Sequence, residues 1–172
     1  MNLLIKDKVY IIAGSSRGIG KQIAKDLLEN EARVVLTGRN KDNLKKTFKE
    51  LKKKFGDSLV RHTGDISNSR KLLEMKNKII KKWNKIDGIV ANAGNLKKNS
   101  KNEFLDVDWY INNNFQNIKT FYQFFENSLI KSKGSAVFIS SIAAIKDLGA
   151  PIGYVLAKKY MIEFAKSMAI KN

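Results

Sequence analysis

The 172-residue sequence contains no cysteine, one proline and one histidine, and it sets 16 acidic residues against 33 lysines and arginines. Without cysteine there is neither a disulfide framework nor a thiolate nucleophile. A single histidine, His62, without a cysteine partner argues against a transition-metal centre, so no metal site is expected. No apolar run approaches the roughly eighteen residues needed to cross a bilayer. The opening Met1-Asn2-Leu3-Leu4-Ile5-Lys6 lacks the charged, apolar and small-residue order of a signal peptide. The expectation is a cytoplasmic protein with no membrane partner.

The shortage of acid leaves a formal net charge of +17, and a basic surface attracts polyanions. Here the lysines are spread through segments such as 41–54 and 71–85 and are not gathered with aromatics into one block. No helix-turn-helix, RNP-like or zinc-finger pattern accompanies them, so they read as solvated outer faces of helices, with no specific nucleic-acid partner.

What is present is an alternation. Val9-Tyr10-Ile11-Ile12-Ala13 is a short apolar run closed by Gly14, as in a strand buried on both faces. Ile19, Ile23, Ala24, Leu27 and Leu28 then recur at helical spacing. Residues 33–37 read as a second strand, 41–55 as an amphipathic helix and 58–63 as a third strand. Residues 71–83 read as a helix, 88–91 as a fourth strand, 109–130 as a long helix and 135–139 as a fifth strand. From Tyr154 onward the apolar residues return to helical spacing. Strands and helices alternating at these lengths imply right-handed crossovers and a doubly wound parallel sheet, an α/β fold of Rossmann type with helices on both faces. With one proline, Pro151, and no linker or repeat, residues 1–172 read as a single domain.

Ligands of such sheets bind at the carboxyl ends of the strands. The first strand ends in Ala13-Gly14-Ser15-Ser16-Arg17-Gly18-Ile19-Gly20, a Gly-x-x-x-Gly-x-Gly spacing between strand and helix. Glycines there permit a tight turn and a close approach of the backbone to a pyrophosphate, which meets the unpaired N–H groups of the helix. Dinucleotide enzymes that use NAD often place an acid at the end of the second strand. This chain has Leu36-Thr37-Gly38-Arg39-Asn40 and no acid. Arg39 and Arg17 instead suit the 2′-phosphate of NADP, which guanidinium groups bind bidentately.

With further motifs in order, the sequence resembles the short-chain dehydrogenase/reductase family over nearly its whole length. Residues 13–20 resemble the nucleotide loop, including Gly14, Ser16, Arg17, Gly18, Ile19 and Gly20. Gly64-Asp65-Ile66 resembles the acidic turn beside the adenine, and Asn92-Ala93-Gly94 the segment after the fourth strand. Asn114 matches the helix asparagine, although Asn117 stands where a glycine is usual. Ser140-Ser141, followed by Tyr154-Val155-Leu156-Ala157-Lys158, resembles the catalytic serine and Tyr-x-x-x-Lys.

The resemblance implies hydride transfer between NADP(H) and a small carbonyl or alcohol substrate. A phenol is a poor base at neutral pH, but a lysine ammonium one helical turn away and the positive nicotinamide favour phenolate. Tyr154 is then the general acid/base. Ser141, preferred to Ser140 on its spacing from Tyr154, would hold the substrate oxygen. Lys158 would anchor the ribose, and Asn114 would position a water leading from Lys158 to solvent. The family continues past the Tyr-Lys helix, so the chain reads as lacking C-terminal strands and a substrate-covering segment. This leaves open a catalytically weak nucleotide-binding fragment, and a nucleotide-sugar epimerase or dehydratase using the same Tyr-Lys pair also stays open. The resemblance also implies a homo-oligomer paired through the long helix and the helix at Tyr154, whose Val155, Met161, Ile162, Phe164, Ala165 and Met168 are apolar on more than one face. His62 reads as a bystander, and Trp83 and Trp109 as packing groups.

Overall fold

In the computed structural model, which describes residues 4–96 and 106–171, strand β1 (Val9–Ala13) lies at the centre of the sheet. Successive side chains point to opposite faces, so Ile11 enters one core cluster and Ile12 the other. β1 pairs in parallel with β2 (Arg33–Gly38) and with β4 (Gly88–Ala91). Strand β3 (Leu59–Thr63) extends the β2 side and β5 (Ser135–Phe138) the β4 side, giving the order β3-β2-β1-β4-β5. The chain turns from one half of the sheet to the other between β1 and β4, the switch point at which such sheets open a crevice.

Helices α1 (Gly18–Glu29) and α2 (Lys41–Phe55) cover one face, burying Ala24, Leu28, Leu44 and Leu51 against Ile12, Val34 and Leu36. The other face takes α3 (Ser69–Trp83) and α5 (Asn117–Ser132), with Leu72, Met75, Ile79, Phe121 and Phe125 fully buried. Each such side chain contributes about 1.5–3 kcal/mol by leaving water. The doubly wound parallel sheet read from the sequence is the observed fold.

The lysine-rich helix α2 shows how the charge is carried. Leu44, Thr47 and Leu51 face inward while most of its lysines point to solvent. Lys21 meets Glu50 at 2.7 Å and Lys54 meets Glu29 at 3.0 Å, tying the outer surfaces of α1 and α2 together.

Several boundaries differ from those expected. The third strand begins at Leu59, because Gly56–Ser58 form a 3₁₀ turn. The third long helix begins at Ser69, where Asn68 caps it by accepting from the Lys71 N–H at 3.1 Å. The helix expected over 109–130 is three pieces: α4 (Val107–Ile111), a π-helical turn (Asn112–Gln116) and α5. Asn113 Nδ2 donates to the Trp109 carbonyl at 2.9 Å, and Asn114 Nδ2 donates to the Tyr110 carbonyl at 3.2 Å. Two consecutive side chains thus take carbonyls that an α-helix would give to backbone N–H groups, and the ladder widens to i→i+5.

Helix α6 (Ile152–Lys171) packs its start on α4, where a Cβ on Gly153 would come within 2.8 Å of Val107 Cα. Its Met161 is fully buried, and Phe164 stacks edge-on with Phe115, Tyr122 and Phe138. Trp83 is buried in the same core. Among the described residues no helix is long and apolar enough to cross a membrane.

Candidate active site

The turn between β1 and α1 is fixed before any ligand is considered. Ser15 donates from its N–H to the Thr37 carbonyl at 2.9 Å and from Oγ to the Ile12 carbonyl at 3.0 Å. In return Ser15 Oγ accepts from the Thr37 N–H at 2.8 Å, and Thr47 Oγ1 donates to the Ser16 carbonyl at 2.7 Å. From the β4 side, Asn92 Nδ2 donates to the carbonyls of Ala13 and Gly14 at 3.2 and 3.0 Å. A Cβ on Gly20 would lie 2.4 Å from Gly14 O and 2.6 Å from Asn92 Nδ2, so the helix can approach this clamp only with glycine there. Gly18, at φ +56°, has nothing within 4 Å of where a Cβ would stand, and its face is open to a ligand.

Above this turn lies a cleft of about 660 Å³. Gly14, Ser16, Arg17, Gly18, Ile19, Arg39, Asp65, Ile66, Asn92, Ala93, Gly94, Asn114, Tyr154 and Lys158 all line it. Two of the expected residues do not. Gly20 sits behind the wall as the packing contact just described. Ser141 stands beside the wall that Ile139 and Ser140 form, and its Oγ caps a 3₁₀ turn (Ile142–Ala144) by accepting from the Ala143 N–H at 3.2 Å.

At the end of β2, Arg39 points across the cleft. Its Nη1 lies 3.9 Å from Asp65 Oδ2, and its Nη2 donates at 2.7 Å to the side-chain oxygen of Asn95 with that amide turned to satisfy both its ends. Asp65 in turn accepts at Oδ1 from the N–H and Oγ of Ser67, at 2.9 and 2.8 Å, which fixes the turn after β3.

Other residues of the cleft are deeply buried. Asn114 is fully buried on the π turn, accepts at Oδ1 from the Asn95 N–H at 2.8 Å and donates from Nδ2 to the Asn95 carbonyl at 3.0 Å. Lys158, 4% exposed, donates from Nζ to the Ile139 carbonyl at 2.8 Å and lies 5.8 Å from the Tyr154 ring centroid. Burial pulls its pKa down from 10.5 to about 8. A Cβ on Gly94 would stand 2.7 Å from Asn114 Oδ1 and 3.7 Å from Lys158 Nζ, so the bare glycine lets these groups converge. One helical turn thus carries the phenol and the amine, and the π turn brings the asparagine to them.

Several lining residues carry no motif signal in the sequence: Thr37, Asn40, Asn43, Asn95, Leu96 and Asn113. Asn95 and Asn113 adjoin matched residues in sequence, and that adjacency is their one readable sign. Among the described residues no group of three His, Asp or Glu side chains could hold a metal.

The chain matches known proteins in sequence and fold. A family model described as short chain dehydrogenase matches residues 8–171. An uncharacterized oxidoreductase of Bacillus subtilis is 30% identical over 173 residues, 98% of this chain and 64% of that protein. A 3-oxoacyl-acyl-carrier-protein reductase of Chlamydia muridarum is 29% identical over 98% of this chain and 69% of that protein. The chain therefore spans about two thirds of the length of such relatives. Among solved structures, a short chain dehydrogenase from Bacillus anthracis superposes with a TM-score of 0.87 at 26% identity, covering 97% of this chain and 70% of that one. An alcohol dehydrogenase from Thermococcus sibiricus, complexed with 5-hydroxy-NADP, superposes at 0.83 with 27% identity, covering 97% of this chain and 72% of that one.

Proposed function

Because the chain belongs to the short chain dehydrogenase family, we propose that its cleft binds NADP(H) and that its residues serve hydride transfer between that cofactor and a carbonyl or alcohol. The observation that carries the reading is the convergence of Tyr154, Lys158 and Asn114 in one cleft with an open glycine turn and Arg39. The residues present fit a dinucleotide phosphate: the open face of Gly18 at the α1 N-terminus suits the pyrophosphate, and Arg39, with no acid beside it on β2, suits a 2′-phosphate. When bound, the nicotinamide supplies or accepts the hydride.

The chain's own residues handle the proton. Tyr154 donates its phenolic proton to the substrate oxygen in reduction and takes it back in oxidation. Ser141 donates a hydrogen bond to the same oxygen, and this needs its Oγ to leave the Ala143 cap or to donate while still accepting from it. Lys158, whose lowered pKa puts its proton within easy exchange near neutrality, replenishes Tyr154 by way of water and holds the ribose hydroxyls. Asn114 keeps the backbone of Asn95 in place and leads the proton path to solvent.

The test is turnover of NADPH with a panel of aldehydes and ketones, in the parent and in Tyr154→Phe. The expected result is loss of hydride transfer in Tyr154→Phe with NADPH binding close to that of the parent. Turnover within a few-fold of the parent would remove Tyr154 from the acid/base role. Tight NADPH binding by the parent with no turnover on any carbonyl would favour a nucleotide-binding module instead.

A further inference from the structure

Resting on the NADP(H) reading above, we infer that Asn95 is a positioning residue that presets Arg39 for the adenosine 2′-phosphate. Asn95 directly follows Gly94, and its main chain is held from both sides by the buried Asn114, which accepts from its N–H at 2.8 Å and donates to its carbonyl at 3.0 Å. From this fixed base the side-chain amide donates to the Gly94 carbonyl at 3.1 Å and presents its oxygen to Arg39 Nη2 at 2.7 Å.

Arg39 needs such a partner. Its side chain is 56% exposed, and it reaches from the end of β2 over open cleft, with its other terminal nitrogen no closer than 3.9 Å to Asp65. A long exposed side chain loses rotamer freedom when it clasps an anion, and a contact made beforehand removes part of that loss from the binding step. The chemistry of the partner matters as much as its place. An amide oxygen accepts from the guanidinium without carrying charge, so the positive charge stays available to a phosphate. A carboxylate in the same place would neutralise the arginine and repel the ligand. The effect is therefore confined to a cofactor that carries the extra phosphate, and NADH, which lacks it, should not sense Asn95.

Fluorescence titration of NADPH and NADH into the parent, Asn95→Ala, Arg39→Ala and the double variant tests this. Asn95→Ala keeps the backbone groups that bind Asn114 and removes only the amide. The expected result is an NADPH affinity lower by about five-fold, the size of one ordinary hydrogen bond, with NADH affinity unchanged. In the Arg39→Ala background the same substitution should add nothing, since Asn95 acts through that arginine. An unchanged NADPH affinity in Asn95→Ala, beside a loss in Arg39→Ala, overturns the inference. So does an equal fall for both cofactors, which would mark a role in folding the loop, and so does an effect that persists without Arg39. Equal affinity of the parent for the two cofactors overturns the NADP(H) reading itself, and it is recognised before any Asn95 variant is compared.

Discussion

Ser140 holds the main chain of Lys158, and the Lys158 amine holds that of Ile139. Ser140 Oγ donates to the Lys158 carbonyl at 3.0 Å, while Lys158 Nζ donates to the carbonyl of Ile139, the residue before Ser140, at 2.8 Å. This clasp joins the end of β5 to the first turns of α6 and sets where the Lys158 amine stands in the cleft.

The clasp separates the roles of the two tandem serines. Ser140→Ala should lower stability by about 1 kcal/mol, the usual worth of one hydrogen bond, and disturb turnover only through Lys158. Ser141→Ala should cut turnover by about a hundred-fold or more, as loss of a donor to a developing oxyanion does, and lower stability by about 1 kcal/mol or less through the lost cap on Ala143. Melting curves and steady-state rates of both variants decide the assignment. A larger rate loss in Ser140→Ala would transfer the donor role to Ser140.

Lys158 is buried against its own charge, and its pKa near 8 lies below the ordinary lysine value of 10.5. Between those two pH values the unfolded chain binds more protons than the folded one, so stability from this residue rises with pH across the window. Below pH 8 the full desolvation cost is present. Lys158→Met should therefore gain on the order of 2 kcal/mol at pH 7, less whatever the lost bond to Ile139 is worth, and the gain should vanish above about pH 10.5. Urea unfolding at several pH values measures this. A pH-independent difference between parent and variant would contradict a desolvated ammonium, and loss of turnover should accompany the gain.

His62 carries a second pH signature. Its Nε2 is buried without a hydrogen-bond partner, and burial holds its pKa below 6.5, with Glu74 opposing the shift and Lys78 and Lys71 adding to it. As pH falls below 6.5 the unfolded chain takes up a proton that the folded chain resists, so stability present above that value is lost. His62→Leu should be at least as stable as the parent at pH 7.5 and should lose less between pH 7 and 5. Thermal melts at those pH values check it, and an identical acid slope in both chains would exclude His62 as a contributor.

The chain by itself made the order of elements and most of the cleft readable, because both are local. A short apolar run such as Val9–Ala13, closed by Gly14, reads as a buried strand, and helical spacing such as Leu44, Thr47 and Leu51 fixed which side of α2 faces inward. The motifs at the strand ends needed no coordinates, since a parallel sheet brings the carboxyl ends of its strands to one edge wherever the strands fall. Tertiary structure decided what depends on contacts distant in sequence. The π turn arises because Asn113 and Asn114 claim carbonyls of the preceding turn, and that preference is realised with Asn114 held by Asn95, nineteen positions away. The close approach of the first turn of α6 to α4, the clasp that joins Ser140, Lys158 and Ile139, and the placing of Ser141 beside the cleft wall follow from how β5, α4 and α6 dock. The reach of Arg39 to Asn95 likewise joins two strand ends, β2 and β4, that are separated by β1 in the sheet. A side chain's partners across such a gap are set by packing geometry, to which spacing along the chain carries no signal.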